Sequence, residues 1–190
     1  MTDFTMPPSQ AVEVKRYNLV SISLHWLMFI LISASFVLAL ILDVFPKSIK
    51  PFWLNVHFVM GSLVFGLLWL RLMWRLVMPP PPLPTTLHPH MIKATHVVHG
   101  LLYLLMAVIP LMGVMTAFFR GRGIDFGFIL IASPFEADRA TGKVFKEIHE
   151  ILSWCLAILT FGHAGMALLH HHVLKDGLLL RMMPVKTPPR

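Results

Sequence analysis

His149 and His163 lie fourteen residues apart on one apolar stretch. On an α-helix, fourteen residues rise about 21 Å and turn back to within about 40° of the starting face. One helix then offers two imidazoles on one side, at two depths. Neutral imidazole is the commonest metal ligand among side chains. The spacing therefore suits two stacked metal centres, provided other helices supply the opposite ligands.

The elements that must supply them are visible in the composition. Of 190 residues 56% are hydrophobic and only 13% charged, against about 25% charge in an ordinary soluble domain. Residues 17–42, 51–70, 94–119 and 151–174 contain no Asp, Glu, Lys or Arg, and each is long enough for the roughly 20 residues that cross a bilayer core. The expected fold is an all-α membrane protein, a four-transmembrane-helix up-down bundle with helices at about 17–42, 51–75, 91–119 and 145–174. Residues 1–190 read as a single domain without an internal repeat. The first span exceeds the roughly 7–15 apolar residues of a signal peptide and lacks a small-residue cleavage pattern, so it reads as a retained helix. The lone Cys155 excludes an intramolecular disulfide and reads as a small buried residue.

The net charge of +7 could point to nucleic acid, but its distribution points to a membrane. Lys15, Arg16, Arg71, Arg75, Lys93, Lys175, Arg181, Lys186 and Arg190 fall on one side of the bundle. Lys47, Lys50, Arg120, Arg122, Arg139, Lys143 and Lys146 fall on the other. By the positive-inside rule the first side, with both termini, is cytoplasmic.

Between the spans, residues up to about Val14 read as a tail, and 43–51 as a short connection bounded by prolines. Pro79-Pro80-Pro81-Pro82-Leu83-Pro84 reads as a stiff extended spacer. Pro110 is expected to kink the third helix. The longest connection, 120–146, contains an apolar run at 126–135 that is too short to span, so it reads as interfacial or packed over the bundle. The fourth helix is expected to open near Phe145, run through His170-His171-His172, and stop at Lys175-Asp176-Gly177 with glycine as its cap.

An up-down bundle sorts the histidines by depth. His25, early in the first helix, shares the cytoplasmic half with His163; His57 and His149 share the outer half. The simplest pairing is His25 with His163 and His57 with His149. Each pair could fill both axial positions of a haem iron, and bundle cores commonly hold such cofactors. The absence of a C-x-x-C-H motif excludes covalent haem attachment. Zinc or copper fits less well, because no cysteine or carboxylate stands at these depths to complete a site. Intramembrane polar groups are costly and usually functional. A haem disc needs close backbone approach, which Gly61, Gly162 and Gly165 would allow, although helix packing uses small residues too.

Other polar residues compete for roles. His96 and His99 share a face of the third helix. They stand as alternatives to His25, or as partners of haem propionates or a quinone carbonyl. His88 and His90 read as solvated. His170, His171 and His172 point about 100° apart in turn, so they cannot all meet one metal; they read as a collar at headgroup level. Arg71 and Arg75 are spaced to pair with haem propionates, or to serve as helix-end charges.

His25-Trp26-Leu27, His57-Phe58-Val59-Met60-Gly61, Arg71-Leu72-Met73-Trp74-Arg75 and His96-Val97-Val98-His99 precede His149 and His163. His170-His171-His172-Val173-Leu174-Lys175-Asp176 and Leu179-Leu180-Arg181-Met182-Met183-Pro184 follow. In this order they resemble the bacterial cytochrome b561 family, from about Arg16 to Lys186. The resemblance implies a bacterial inner-membrane bundle with two haem b groups and axial ligands at His25, His57, His149 and His163. It further implies kinship with superoxide oxidases that pass electrons to ubiquinone. On that reading Lys47, Lys50, Arg120 and Arg122 would steer superoxide. His96, His99, His170, His171 and His172 become quinone-site candidates that deliver protons. The competing functional class is a non-enzymatic cytochrome b subunit linking a dehydrogenase or hydrogenase partner protein to the quinone pool. A metal transporter or sensor is the third.

Overall fold

The computed structural model describes residues 16–83, 87–126 and 129–184. The tail up to Val14, Lys15, Pro84, Gly127, Phe128, Lys186 and Arg190 lie outside the described residues. Four helices dominate: α1 (Leu19–Ile41), α2 (Lys50–Val77), α3 (Pro89–Phe119) and α4 (Arg139–Leu169). All four are long and apolar enough to cross a membrane.

Local chemistry sets most helix ends. Asn18 caps α1, its Oδ1 accepting from the Ser21 amide at 2.9 Å, which satisfies an otherwise orphaned donor. Pro51 and Pro89 stand in the first turns of α2 and α3, where a missing N–H costs nothing. Pro110 lies inside α3, which continues through it.

The fourth helix departs from expectation at both ends. It opens at Arg139, several residues before Phe145, because Asp138 caps it by accepting from the Ala140 amide and, at 2.6 Å, from the Thr141 hydroxyl. The Thr141 hydroxyl and the Ala140 and Thr141 amides hold the Asp138 carboxyl below its ordinary range. At the other end, His170–Leu174 form a wider π-type turn. Lys175, with φ of 52°, takes the left-handed cap position that glycine was expected to fill, and Gly177 (φ 74°) turns the chain again.

In the long connection, Ile124–Asp125 and Leu130–Ile131 pair as a small antiparallel ribbon, Ile124 opposite Ile131. Ile124 is buried against Ala117 and Phe118 with Phe126 packed beside it, whereas Ile129, Leu130, Ile131 and Phe135 are exposed. The first strand therefore packs on the end of the bundle and the second faces outward.

Along the bundle α1 packs on α2, α2 on α3, and α3 most extensively on α4. Met28, Leu68, Met106, Ile109 and Leu156 form the main core cluster. Leu156 is seven residues from both His149 and His163, so this apolar plug sits between the two histidine depths. Outward faces are apolar as well: Ile158 is 69% and Phe161 76% exposed. Side chains of that kind belong against lipid.

The C-terminal segment closes one end of the bundle. The Tyr17 amide donates to the Arg181 carbonyl at 3.2 Å and the Trp26 indole to the Met182 carbonyl at 2.7 Å. The Arg16 guanidinium reaches the Met183 carbonyl. Arg181, itself buried, donates to the carbonyls of Pro81 and Pro82, both at 2.9 Å. The proline-rich spacer is thereby tied to the tail.

Candidate functional site

The four proposed ligands meet in two layers. His25 of α1 faces His163 of α4 with ring centres 6.3 Å apart. His57 of α2 faces His149 of α4 with ring centres 6.1 Å apart. Helix α4 thus contributes one imidazole to each layer, and the other comes from across the bundle.

The spacing can be tested against a bound metal. Two imidazoles on opposite sides of one ion, each with a metal–nitrogen bond of about 2.0 Å and about 1.2 Å more to its ring centre, have centres about 6.4 Å apart. Both pairs fit. The backbone fits too: a Cβ added at Gly61, Gly162 or Gly165 would meet nothing within 4 Å, so a flat cofactor can approach there.

Tautomer matters equally, because the ligating nitrogen must carry no proton. The Nδ1 of His149 donates to the Ile109 carbonyl at 2.8 Å. The Nδ1 of His57 lies 3.2 Å from the Ser35 carbonyl and 3.0 Å from its hydroxyl. Donation through Nδ1 leaves Nε2 free as ligand. Among the described residues, no hydrogen bond ties the His25 or His163 ring.

The His25–His163 layer has more neighbours. The His99 ring centre is 5.1 Å from that of His163, too close to hold a metal between them as they stand. Its Nδ1 donates to the Thr95 carbonyl at 2.6 Å. His96 is exposed and bonds the Ile92 carbonyl at 2.8 Å. Arg71 and Arg75 meet on the Tyr103 hydroxyl, at 3.3 and 3.2 Å. With Tyr17, Ser21 and Met182 they line a small cleft. Two guanidiniums converging on one phenol can also receive a carboxylate, the chemistry of a haem propionate.

The triple histidine divides. His170 is buried and pairs with the Asp176 carboxylate, whereas His171 and His172 pack edge to face with ring centres 4.7 Å apart. No three His, Cys, Asp or Glu among the described residues could hold one metal ion. Cys155 is exposed rather than buried, in keeping with a lipid-facing position on α4. The cations proposed to steer superoxide separate as well. Arg120 and Arg122 share a cavity with Arg139 and Lys143, while Lys50 pairs with Asp43. Lys47 is exposed near that pair.

Sequence reasoning passed over Tyr103, Ser35 and Gly113, and read Asp176 only as part of the helix end and not as the partner of His170. Tyr103 was within reach, standing one helical turn after His99 on the face that His96 and His99 share. A Cβ on Gly113 would lie 3.2 Å from His149 Cε1, a contact between two helices that only the fold reveals.

Two half-buried imidazole pairs stacked in a four-helix membrane bundle define a class, the membrane b-type cytochromes, whose cofactor these residues fit. The family model for prokaryotic cytochrome b561 matches residues 16–185. The chain is 32% identical to a probable superoxide oxidase CybB of Yersinia pestis, over 90% of this chain and 98% of that protein. It is 30% identical to cytochrome b561 homolog 1 of Escherichia coli K12 (90% and 98% covered) and 30% identical to cytochrome b562 of Cereibacter sphaeroides (88% and 94%). The chain belongs to the prokaryotic cytochrome b561 family. It is a multi-pass bacterial membrane protein of electron transfer, from a family whose members bind haem b.

Proposed function

We propose that this chain is a superoxide:ubiquinone oxidoreductase, acting as one domain over residues 1–190. Superoxide is oxidised at the His57–His149 end and ubiquinone is reduced at the His25–His163 end, with both termini cytoplasmic. The observation that carries the reading is the pair of imidazole layers, with ring centres 6.1 and 6.3 Å apart. A haem b in each layer, held by His57 and His149 or by His25 and His163, would supply one-electron exchange.

The chain's own residues do the rest. His57 and His149, oriented by the Ser35 and Ile109 carbonyls, present Nε2 inward. The apolar plug around Leu156 keeps water and ions from crossing between layers. Arg71 and Arg75 hold carboxylates at the cytoplasmic end, and Arg120 and Arg122 with Lys47 attract an anionic donor at the outer end. Two superoxide ions yield two oxygens and two electrons; one ubiquinone takes both electrons and two protons. His96, His99, His170, His171 and His172 stand at that end to move the protons. The name carried by the Yersinia relative supports the choice of donor.

Stopped-flow mixing of the haem-loaded protein with superoxide tests the proposal. The expected result is reduction of the haem bands, and faster loss of superoxide when ubiquinone is present. Absence of haem reduction would overturn it in favour of a cytochrome subunit fed by a dehydrogenase or hydrogenase.

A further inference from the structure

Arg120, Arg122, Arg139 and Lys143 line one open cavity of about 380 Å³, where α3 ends and α4 begins. All four side chains are exposed cations. Among the described residues, Arg120, Arg122 and Arg139 form no salt bridge, and Lys143 has only a loose partner in Glu147 at 3.7 Å. Asp138, beside them in sequence, is already engaged as the cap of α4.

This arrangement opposes ordinary helix electrostatics. Arg139 and Lys143 stand one turn apart at the start of α4, where like charges repel each other and the helix dipole disfavours cations. Arg120 and Arg122 face them from the end of α3. Such a cluster is relieved by an anion.

The cluster is also built rather than incidental. Gly142 is buried and brings α4 so close to the end of α3 that a Cβ there would lie 3.1 Å from Arg120 Cγ and 3.3 Å from the Phe119 carbonyl carbon. The Asp138 amide donates to the Phe119 carbonyl at 2.9 Å, fixing the same two ends. An exposed apolar stripe then leads away along α4 through Val144, Ile148 and Ile151, which share a face at helical spacing. Cations at a span end beside an apolar track match an amphiphile, a phosphate head with acyl chains.

We propose that this cavity binds the headgroup of an anionic phospholipid, and that four cations select a lipid with two phosphates. Arginine forks bind phosphate oxygens in pairs, and the stripe on α4 takes an acyl chain. The site shares Arg120 and Arg122 with the proposed attraction of the electron donor. Lipid retention is read without superoxide, however, so the failure of one proposal is distinguishable from the failure of the other.

Native mass spectrometry and thermal unfolding of the full chain in detergent test it, with diphosphatidylglycerol, phosphatidylglycerol, phosphatidylethanolamine and inorganic phosphate as probes. The expected result is selective retention of diphosphatidylglycerol, with a raised unfolding midpoint. The double variant Arg139→Gln, Lys143→Gln should weaken retention about tenfold, a shift that mass action also carries into the midpoint. Gly142→Leu, which keeps every charge but parts the two helix ends, should weaken it too; Lys93→Gln, on the opposite side of the bundle, should not. Undiminished retention by the double variant would overturn the site. Equal stabilisation by inorganic phosphate would overturn the lipid assignment. Undiminished binding by a folded Gly142→Leu protein would overturn the claim of a built cavity.

Discussion

The two histidine layers are alike in spacing and unlike in support. In the His57–His149 layer each ring has a hydrogen-bond acceptor on a neighbouring helix, Ser35 on α1 or Ile109 on α3, and Gly113 touches His149. In the His25–His163 layer a third imidazole, His99, stands within 5.1 Å of His163, and Arg71, Arg75 and Tyr103 crowd one side. The first layer is pinned by main chain and has no substitute ligand in contact. The second is looser, more polar and has a spare. A pinned layer suits fixed electron transfer; a looser polar one suits exchange with a substrate that also takes protons.

The largest effect that could break this contrast is loss of a ligand. His57→Ala should cost the protein about half its haem, because a bis-histidine site with one ligand removed has no replacement. His25→Ala should retain part of its haem with altered spectra, His99 withdrawing by about 1 Å to reach ligand distance from His163. Haem content by pyridine haemochrome, with the low-spin EPR signal, measures both. The His25→Ala, His99→Ala double variant should then match His57→Ala. Equal and complete loss in the His25 and His57 single variants would remove the distinction between layers.

A smaller effect sharpens the contrast from the protein side. Gly113→Ala sets a methyl 3.2 Å from His149 Cε1 and 3.3 Å from its Nδ1. The ring must shift, and its bond to the Ile109 carbonyl lengthens. Losing an outer partner of a metal ligand costs about ten- to a hundredfold in affinity, so haem should dissociate faster from this layer alone. Competition with an apo-globin acceptor would show one fast and one unchanged phase. Two unchanged phases would mean that the His149 ring adapts and the layer is not pinned.

How much of this was legible follows from where each signal resides. The pairing of His25 with His163 and of His57 with His149 was readable because both of its determinants, apolar span and helical spacing, are local to the chain. The start of α4 was misplaced because Arg139, Lys143 and Lys146 read as connection, although Asp138 followed by Thr141 is a cap signal in its own right. The ribbon from Ile124 to Ile131 was not readable, since short apolar runs do not distinguish strand from helix. Lys175 rather than Gly177 takes the left-handed position because the closing turn is set by Asp176, whose side chain meets both His170 and the Leu178 amide. The difference between the layers lay furthest from view: the acceptors for His57 and His149 are main-chain carbonyls of other helices, and every residue has one.

The finest probe of the contrast is Ser35. If Nδ1 of His57 donates to the Ser35 carbonyl, the hydroxyl at 3.0 Å is a bystander, or itself an acceptor. If the hydroxyl instead donated to Nδ1, the proton would sit on Nε2 and the ring could not ligate through it. Ligation therefore requires donation from Nδ1, and the carbonyl, which no side-chain substitution removes, suffices for it. Ser35→Ala deletes one hydroxyl contact worth about 1 kcal/mol at most and removes the competing tautomer. Haem dissociation from this layer should change by no more than a few-fold, well short of the Gly113→Ala effect. A loss as large as that of Gly113→Ala would show that the side chain orients His57, so that only His149 is pinned by main chain.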